Sequence, residues 1–356
     1  VTMRTHRDLA SSWAAYEAAF IIEARRRGYS DDDVRTCLSY AKKLHLSNLP
    51  VIYDQAHFSD RVGYDISYIR RASNDPEHFY RTFNVPKKSG GVRQINEPLP
   101  SLKEIQRWIL DNILGAMSVN PCAKAFVVGR DVRDNARFHR NQRIVINVDV
   151  KDFFPSITHR QIRMIFLKAG YSPEVGELLT QLCCLDGVLP QGAPTSPYIS
   201  NLVCRPLDER LFGYAKKNGL RYTRYSDDIS VSGDMEPAEV LQFVKKVCRE
   251  HGFKIHPDKI RVLGPGRQKR VTGIVVNKHL QVPRKKRRVL RQSVYYIKKF
   301  GLDEHLSKTK NNRRNFLDHL MGQVNYVLFV NPKDREAQDW LRQLREIKNG
   351  AIDYRD

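Results

Sequence analysis

Apolar residues in the first part of the chain recur at helical spacing. Trp13, Tyr16, Phe20 and Ile21 share one face after Ser11 and Ser12, and Ser30 with Asp33 forms a capping box ahead of Val34, Cys37, Leu38 and Ala41. Residues 1 to about 75 therefore read as helical. The periodicity breaks at a basic, glycine-containing loop, Lys87-Lys88-Ser89-Gly90-Gly91-Val92-Arg93. It resumes through Ile95 and Pro98 into a helix marked by Leu102, Ile105, Ile109 and Leu110. The run from Arg143 to Asp149 is rich in β-branched residues and predicts a buried strand that ends in a carboxylate. Ser196 reads as a helix cap with Pro197 in the first turn. Ile199, Leu202, Val203, Leu207 and Leu211 then line one side until Asn218-Gly219 stops the helix. Leu220 to Ser232 reads as a hairpin whose turn carries Asp227 and Asp228. Past Pro283 the chain turns basic and helical as far as Ile347, and no internal repeat or low-complexity tract interrupts it.

The chain has 356 residues, 41% of them apolar, enough for two or three domains with a substantial core. Its 61 Lys and Arg against 39 Asp and Glu give +22, so a polyanion is the expected partner: each cation that meets a phosphate releases condensed counterions. No stretch has the length and apolarity of a membrane span and no signal peptide is evident, so a cytoplasmic location with no membrane partner is expected. Six cysteines without CxxC or Cys/His spacing predict reduced, mostly buried thiols rather than zinc ligands or disulfides.

Asp149 at a strand end, with Asp227 and Asp228 in a hairpin turn, suits two carboxylate-bearing elements lying side by side. Such a cluster holds Mg²⁺. Two hard cations can activate an attacking hydroxyl and neutralise a leaving pyrophosphate.

Three motifs in order, Val148-Asp149-Val150-Lys151-Asp152-Phe153-Phe154-Pro155-Ser156-Ile157, Leu189-Pro190-Gln191-Gly192-Ala193-Pro194-Thr195-Ser196-Pro197 and Tyr225-Ser226-Asp227-Asp228, resemble the palm motifs of reverse transcriptases. Two shorter runs, Asn135-Ala136-Arg137-Phe138-His139 and Val271-Thr272-Gly273, are similar to elements of the bacterial retron branch. Ser226 departs from the Ala common there, and its small size is compatible with the turn. The resemblance implies an α+β right-hand polymerase with fingers, palm and thumb and an N-terminal helical extension. The expected divisions are an N-terminal helical region 1–79, fingers 80–143, palm with inserted fingers helices 144–282, and a helical basic thumb 283–356.

It also implies roles. Asp149 and Asp227 would be metal ligands for two Mg²⁺ ions, with Asp228 in a secondary role. The backbone near Phe153 and Phe154 would hold the incoming dNTP, with the Phe154 ring excluding a 2′-OH. Gln191 and Gly192 would lie against the nascent pair, Lys87 or Lys88 and Arg93 would hold phosphates, and Lys259 would donate a proton to pyrophosphate. For RNA contact the candidates are Asn135, His139, Val271, Thr272 and Gly273, with a packing role open for His139, and Arg284, Lys285, Arg287 and Arg288 on an amphipathic basic helix suited to tracking a duplex.

By the same resemblance the enzyme copies a cognate structured non-coding RNA into RNA-linked single-stranded DNA (msDNA) and serves in anti-phage defence beside a separate effector protein. The basic tail lacks carboxylates for a nuclease centre, so removal of template RNA is expected from a host ribonuclease H. Two other readings stay open. One is a group II intron-like or other bacterial reverse transcriptase, disfavoured by the lack of maturase and endonuclease extensions. The other is a non-catalytic RNA-binding scaffold that sequesters a toxin, disfavoured by the intact aspartates.

Overall fold

A computed structural model describes residues 13–87 and 90–350. Ser11, Ser12, Lys88 and Ser89 lie outside the described residues. The chain begins with four helices, α1 (Trp13–Arg26), α2 (Asp31–Leu46), α3 (Gln55–Val62) and α4 (Ile66–Asn74). Ser30 caps α2 as expected, its Oγ accepting from the Asp33 amide at 3.2 Å. Asp54 and Asp65 do the same for α3 and α4, satisfying amides that have no partner in the first turn.

Strands β1 (Tyr80–Pro86) and β2 (Val92–Pro98) then pair antiparallel around the basic loop. Their residues are mostly exposed, so hydrophobic alternation does not announce them. There follow α5 (Pro100–Asn112), α6 (Val132–Phe138), β3 (Ile144–Asp149), α7 (His159–Ala169), α8 (Pro173–Cys183), α9 (Ser196–Val203) and α10 (Arg205–Lys217). The single helix expected from Ser196 to Gly219 is thus two helices, parted at Cys204. Pro206 has no amide hydrogen and its ring crowds the carbonyl one turn back, so the helix cannot run through. Nor is Ser196 a cap: it is the first residue of α9, and its hydroxyl donates to the Pro190 carbonyl at 2.6 Å.

The remainder comprises β4 (Arg221–Tyr225), β5 (Asp228–Gly233), α11 (Pro237–Glu250), β6 (Arg261–Leu263), β7 (Arg270–Val271), β8 (Ile274–Val275), α12 (Arg284–Phe300), α13 (Leu302–Thr309), α14 (Phe316–Val330) and α15 (Arg335–Lys348). No helix among the described residues is long and apolar enough to cross a membrane.

Two compact units form. One gathers the described residues up to Phe126 with Val150–Arg210 and Lys245–Ile255; the other gathers Val127–Asp149, Leu211–Val244 and the described residues from His256 onward. In the first, Phe58, Ile105, Ile109, Phe166 and Leu179 are fully buried, each contributing roughly 2 kcal/mol by leaving water. Gln106, buried among them, donates to Tyr80 Oη at 2.7 Å and to the Leu182 carbonyl at 2.8 Å.

The second unit is built on a four-stranded antiparallel sheet in the order β4-β5-β3-β6. Its register pairs Asp149 with Asp228, Asn147 with Ser230 and Val145 with Ser232, and Thr223 of β4 faces Ser230. Because partners in register share a face, one face carries Ile146, Val148, Tyr222, Ile229 and Val231. The other carries Val145, Asn147, Asp149, Thr223, Tyr225, Asp228, Ser230 and Ser232. Val145, Ala136 and Val271 join a core that continues through Leu290, Val294 and Ile297 of α12 to Val324 and Val327 of α14 and Trp340 and Leu344 of α15.

Candidate active site

β4 and β5 are joined by two residues, Ser226 and Asp227, with Ser226 in the left-handed region at φ +60°. A positive φ at the first of two turn residues matches the twist of a tight hairpin, at some strain for a residue with a Cβ. Arg224, only 1% exposed, donates from its guanidinium to the Ser226 carbonyl at 3.0 Å and so ties the turn down from beneath. Asp227 is thereby placed at the tip. Asp228, which the hairpin reading put in the turn, is the first residue of β5 and lies directly across from Asp149.

The electrostatics of this cluster favour a cation. Burial pushes the Asp227 carboxyl up, with Asp149 adding to the effect. Burial, then the charges of Asp227 and Asp149, push Asp228 up to about 7. Carboxylates that resist ionising together are hard oxygen donors in need of positive charge, which fits a divalent cation. Among the described residues no group of three or more His, Cys, Asp or Glu is placed to hold a metal ion. Positive charge comes instead from Lys259, whose Nζ stands 2.7 Å from Asp149 Oδ1. Lys259 ends a short 3-10 turn, Pro257–Lys259, held against the strand end by a bond from the His256 amide to the Asp149 carbonyl at 2.8 Å.

The remaining nucleotide candidates, apart from Lys88, lie in the first unit. Lys87 and Arg93 are exposed at the loop end of the β1–β2 hairpin. Phe153 is 5% exposed and stacks on Phe253, with ring centroids 5.8 Å apart. Phe154 is half-buried between Phe153 and Phe126, at 5.4 and 6.5 Å, and keeps part of its ring accessible. The Gln191 carbonyl accepts from the Asn96 amide at 2.8 Å. Gly192 has φ +132°, and a Cβ there would stand 2.7 Å from the Asn96 carbonyl oxygen. The close approach expected at Gly192 is therefore made first of all to β2 of its own chain.

Burial corrects several of the RNA-contact expectations. Asn135, His139 and Val271 are 0% exposed. His139 Nδ1 is 2.7 Å from Ser232 Oγ and its Nε2 2.7 Å from Thr223 Oγ1; Thr223 in turn donates to Asn135 Oδ1 at 2.6 Å. These side chains engage protein, whereas Thr272 and Gly273 in the β7–β8 turn are half-buried and exposed respectively. Both have positive φ, the conformation of a tight two-residue hairpin turn.

On α12, Arg284, Lys285 and Arg288 are exposed as expected. Arg287 is not: its side chain is 15% exposed, paired with Asp334 and Glu336, and stacked 5.5 Å over Trp340. It holds α12 to α15. The six cysteines are free, and burial pushes the Cys183 thiol up to about 12, which leaves it inert.

Sequence reading overlooked Asn147, Thr223, Ser230 and Ser232. Ser230 donates to Asn147 Oδ1 at 2.9 Å, and Asn147 donates to the Arg270 carbonyl at 2.8 Å, joining the sheet to β7. Alternation of Ser230 and Ser232 with Ile229 and Val231 was the available signal, but it ordinarily marks a solvated face.

The family model described as Reverse transcriptase (RNA-dependent DNA polymerase) matches residues 85–309. The Retron Mx162 reverse transcriptase of Myxococcus xanthus is 34% identical over 78% of this chain, which spans 62% of that protein's length. The Retron Ec86 reverse transcriptase of Escherichia coli is 31% identical, with 83% of this chain and 90% of that protein covered. The Retron Mx65 reverse transcriptase of M. xanthus is 34% identical, with 85% and 74% covered. Among solved structures, telomerase from Candida albicans in complex with a TWJ fragment of telomeric RNA gives a TM-score of 0.45 at 10% identity over 82% of this chain and 66% of that one, a likeness too low to argue from. The ordered motifs, the paired aspartates at a strand end and a hairpin, and sequence identity along most of the chain lead to one assignment: the chain belongs to the reverse transcriptase family, and within it to the retron reverse transcriptases.

Proposed function

We propose that this protein copies a cognate structured non-coding RNA into RNA-linked single-stranded DNA, drawing on dNTPs, and serves in anti-phage defence with a separate effector protein and a host ribonuclease H. The observation that carries the catalytic part is the cluster of Asp149, Asp227 and Asp228 with Lys259: two protonation-prone carboxyls and a third in an ion pair at adjoining strand ends. Asp149 and Asp227 would hold two Mg²⁺ ions, with Asp228 placed to share the charge. When bound, such ions lower the pKa of an attacking primer hydroxyl and neutralise the leaving pyrophosphate.

The protein's own groups do the rest. Lys259 keeps an ammonium at the site from which pyrophosphate departs. The accessible part of the Phe154 ring excludes a 2′-OH, Gln191 and Gly192 border the nascent pair, and the backbone at Phe153 and Phe154 orients the triphosphate. Lys87 and Arg93 take its outer phosphates, Arg by its bidentate fork and Lys as a point charge; Lys88, the other lysine of that loop, lies outside the described residues. In functional terms 80–143 are fingers, 144–282 palm, and 283–356 a thumb whose Arg284, Lys285 and Arg288 track an RNA duplex.

The test is to purify the protein, extract any bound nucleic acid, treat it with RNase and DNase separately, and sequence it. An RNA joined to DNA complementary to part of itself is expected. Robust extension of unrelated primer–templates, with no such hybrid recovered, would reduce the protein to a general reverse transcriptase.

A further inference from the structure

We infer that His139 and Asn135 are positioning residues for the hairpin that carries Asp227 and Asp228, acting alike on every template rather than reading a particular RNA. This rests on the assignment of Asp149, Asp227 and Asp228 as the metal-holding cluster.

Proton counting fixes the direction of the network. Thr223 has one hydroxyl proton and gives it to Asn135 Oδ1 at 2.6 Å, so Thr223 Oγ1 accepts from His139 Nε2–H at 2.7 Å. The neutral imidazole then has a lone pair on Nδ1, which accepts from the Ser232 hydroxyl at 2.7 Å. A directed chain thus runs from Ser232 through His139 and Thr223 to Asn135, with the imidazole and both Asn135 and Ser232 shut off from water.

Its geometry explains its purpose. Ser232 lies on β5 and Thr223 on β4, so one ring grips both strands of the hairpin from the face that also bears Asp149 and Asp228. A slip of one residue between these strands would send Asp228 to the opposite face. The tip is also strained at Ser226, and such a conformation persists only where its surroundings over-determine it. A side chain with a donor and an acceptor on opposite edges holds that register; an aliphatic one would take the acceptor from the buried Ser232 hydroxyl and the donor from Thr223 Oγ1. Asn135 Nδ2, 3.4 Å from Thr272 Oγ1, extends the chain weakly to the β7–β8 turn.

The test uses the full chain with His139→Leu, His139→Gln, Thr223→Val and Ser232→Ala. It measures kcat and KM on the cognate RNA and on poly(rA)/oligo(dT), and amide exchange along Arg224–Ile229. For His139→Leu, kcat should fall by about tenfold or more on both templates with KM for template within about twofold. Exchange at the turn should rise roughly tenfold while α14 and α15 stay protected. His139→Gln, which can donate and accept, should recover part of each loss. Loss confined to the cognate RNA, or unchanged exchange at the turn, overturns the inference. If His139→Leu does not fold, Thr223→Val and Ser232→Ala each remove one of the ring's partners, and unchanged exchange in both overturns it equally. Extension that survives Asp227→Asn with Asp228→Asn would instead overturn the metal assignment, leaving the exchange result to stand by itself.

Discussion

Replacing Asp227 and Asp228 together by Asn removes two acidic side chains' charge and almost no volume from a half-buried hairpin end. DNA synthesis should fall to background while RNA binding stays near wild type; normal primer extension by the double variant would refute the metal assignment. The same substitutions bear on stability. Asp228 is pushed up to about 7 by burial and by its neighbours' charges, so the folded protein holds a proton that the unfolded chain releases near pH 4. Stability without divalent cations therefore declines as pH rises through that window, by roughly 1.4 kcal/mol per unit at most. Urea unfolding in EDTA at pH 5 and pH 8 should show that decline in the wild type and little of it in the double variant, which becomes the more stable protein at pH 8. Phe154→Ala should raise ribonucleotide use relative to deoxynucleotide use, and an unchanged ratio of the two kcat/KM values would leave Phe154 a packing residue between Phe126 and Phe153. At Gly192 the reason for glycine is local: Ala would need φ +132° and would push its methyl into the Asn96 carbonyl. Gly192→Ala should cost about 1–3 kcal/mol or free β2 from Gln191, and protease sensitivity of the β1–β2 hairpin reports either outcome.

Among the elements, α12 divides its cations between two tasks. Arg287 faces inward to Asp334 and Glu336, while Arg284, Lys285 and Arg288 face water. Asp334 also caps α15 by accepting from the Ala337 amide at 3.1 Å. Asp334→Ala takes one of two carboxylate partners from a largely buried guanidinium and uncaps a helix, and should cost about 2–4 kcal/mol, read as a lowered urea midpoint. Reversing Arg284, Lys285 and Arg288 to Glu should leave that midpoint near wild type. It should instead weaken binding to any RNA and reduce the slope of log K against log salt by roughly two to three. An unaltered slope would make α12 a solvated face. Arg287 belongs in neither set of charge reversals, since its replacement would confound affinity with folding.

For the molecule as a whole, a charge of +22 supplies affinity without choice. Binding to generic RNA should therefore collapse as salt rises from about 50 to 200 mM, whereas preference for the cognate RNA should widen, because contacts to loops and branches are less screened than phosphate contacts. A preference ratio that falls with salt would mean that selection itself is electrostatic. Competition binding at two salt concentrations decides it.

The sequence by itself determined what depends on local order and composition. Strand β3 ending in Asp149, the tight hairpin with Asp227 at its tip, the Ser30 cap and the basic helical end follow from β-branching, turn chemistry and periodicity, and the three ordered motifs carried the family. Tertiary structure alone decided what depends on which surfaces are covered. Ser230 and Ser232 alternate with Ile229 and Val231 as a wetted strand face would, yet both are buried, Ser232 against the His139 ring and Ser230 against Asn147. Helical spacing sets Arg287, three residues before Leu290, on the buried face of α12 and Arg288 off it, but only the arrival of α15 gives Arg287 Asp334, Glu336 and Trp340 as partners. Periodicity reports that a helix or strand has two faces, whereas the partner that arrives from elsewhere in the chain decides which polar groups those faces will bury.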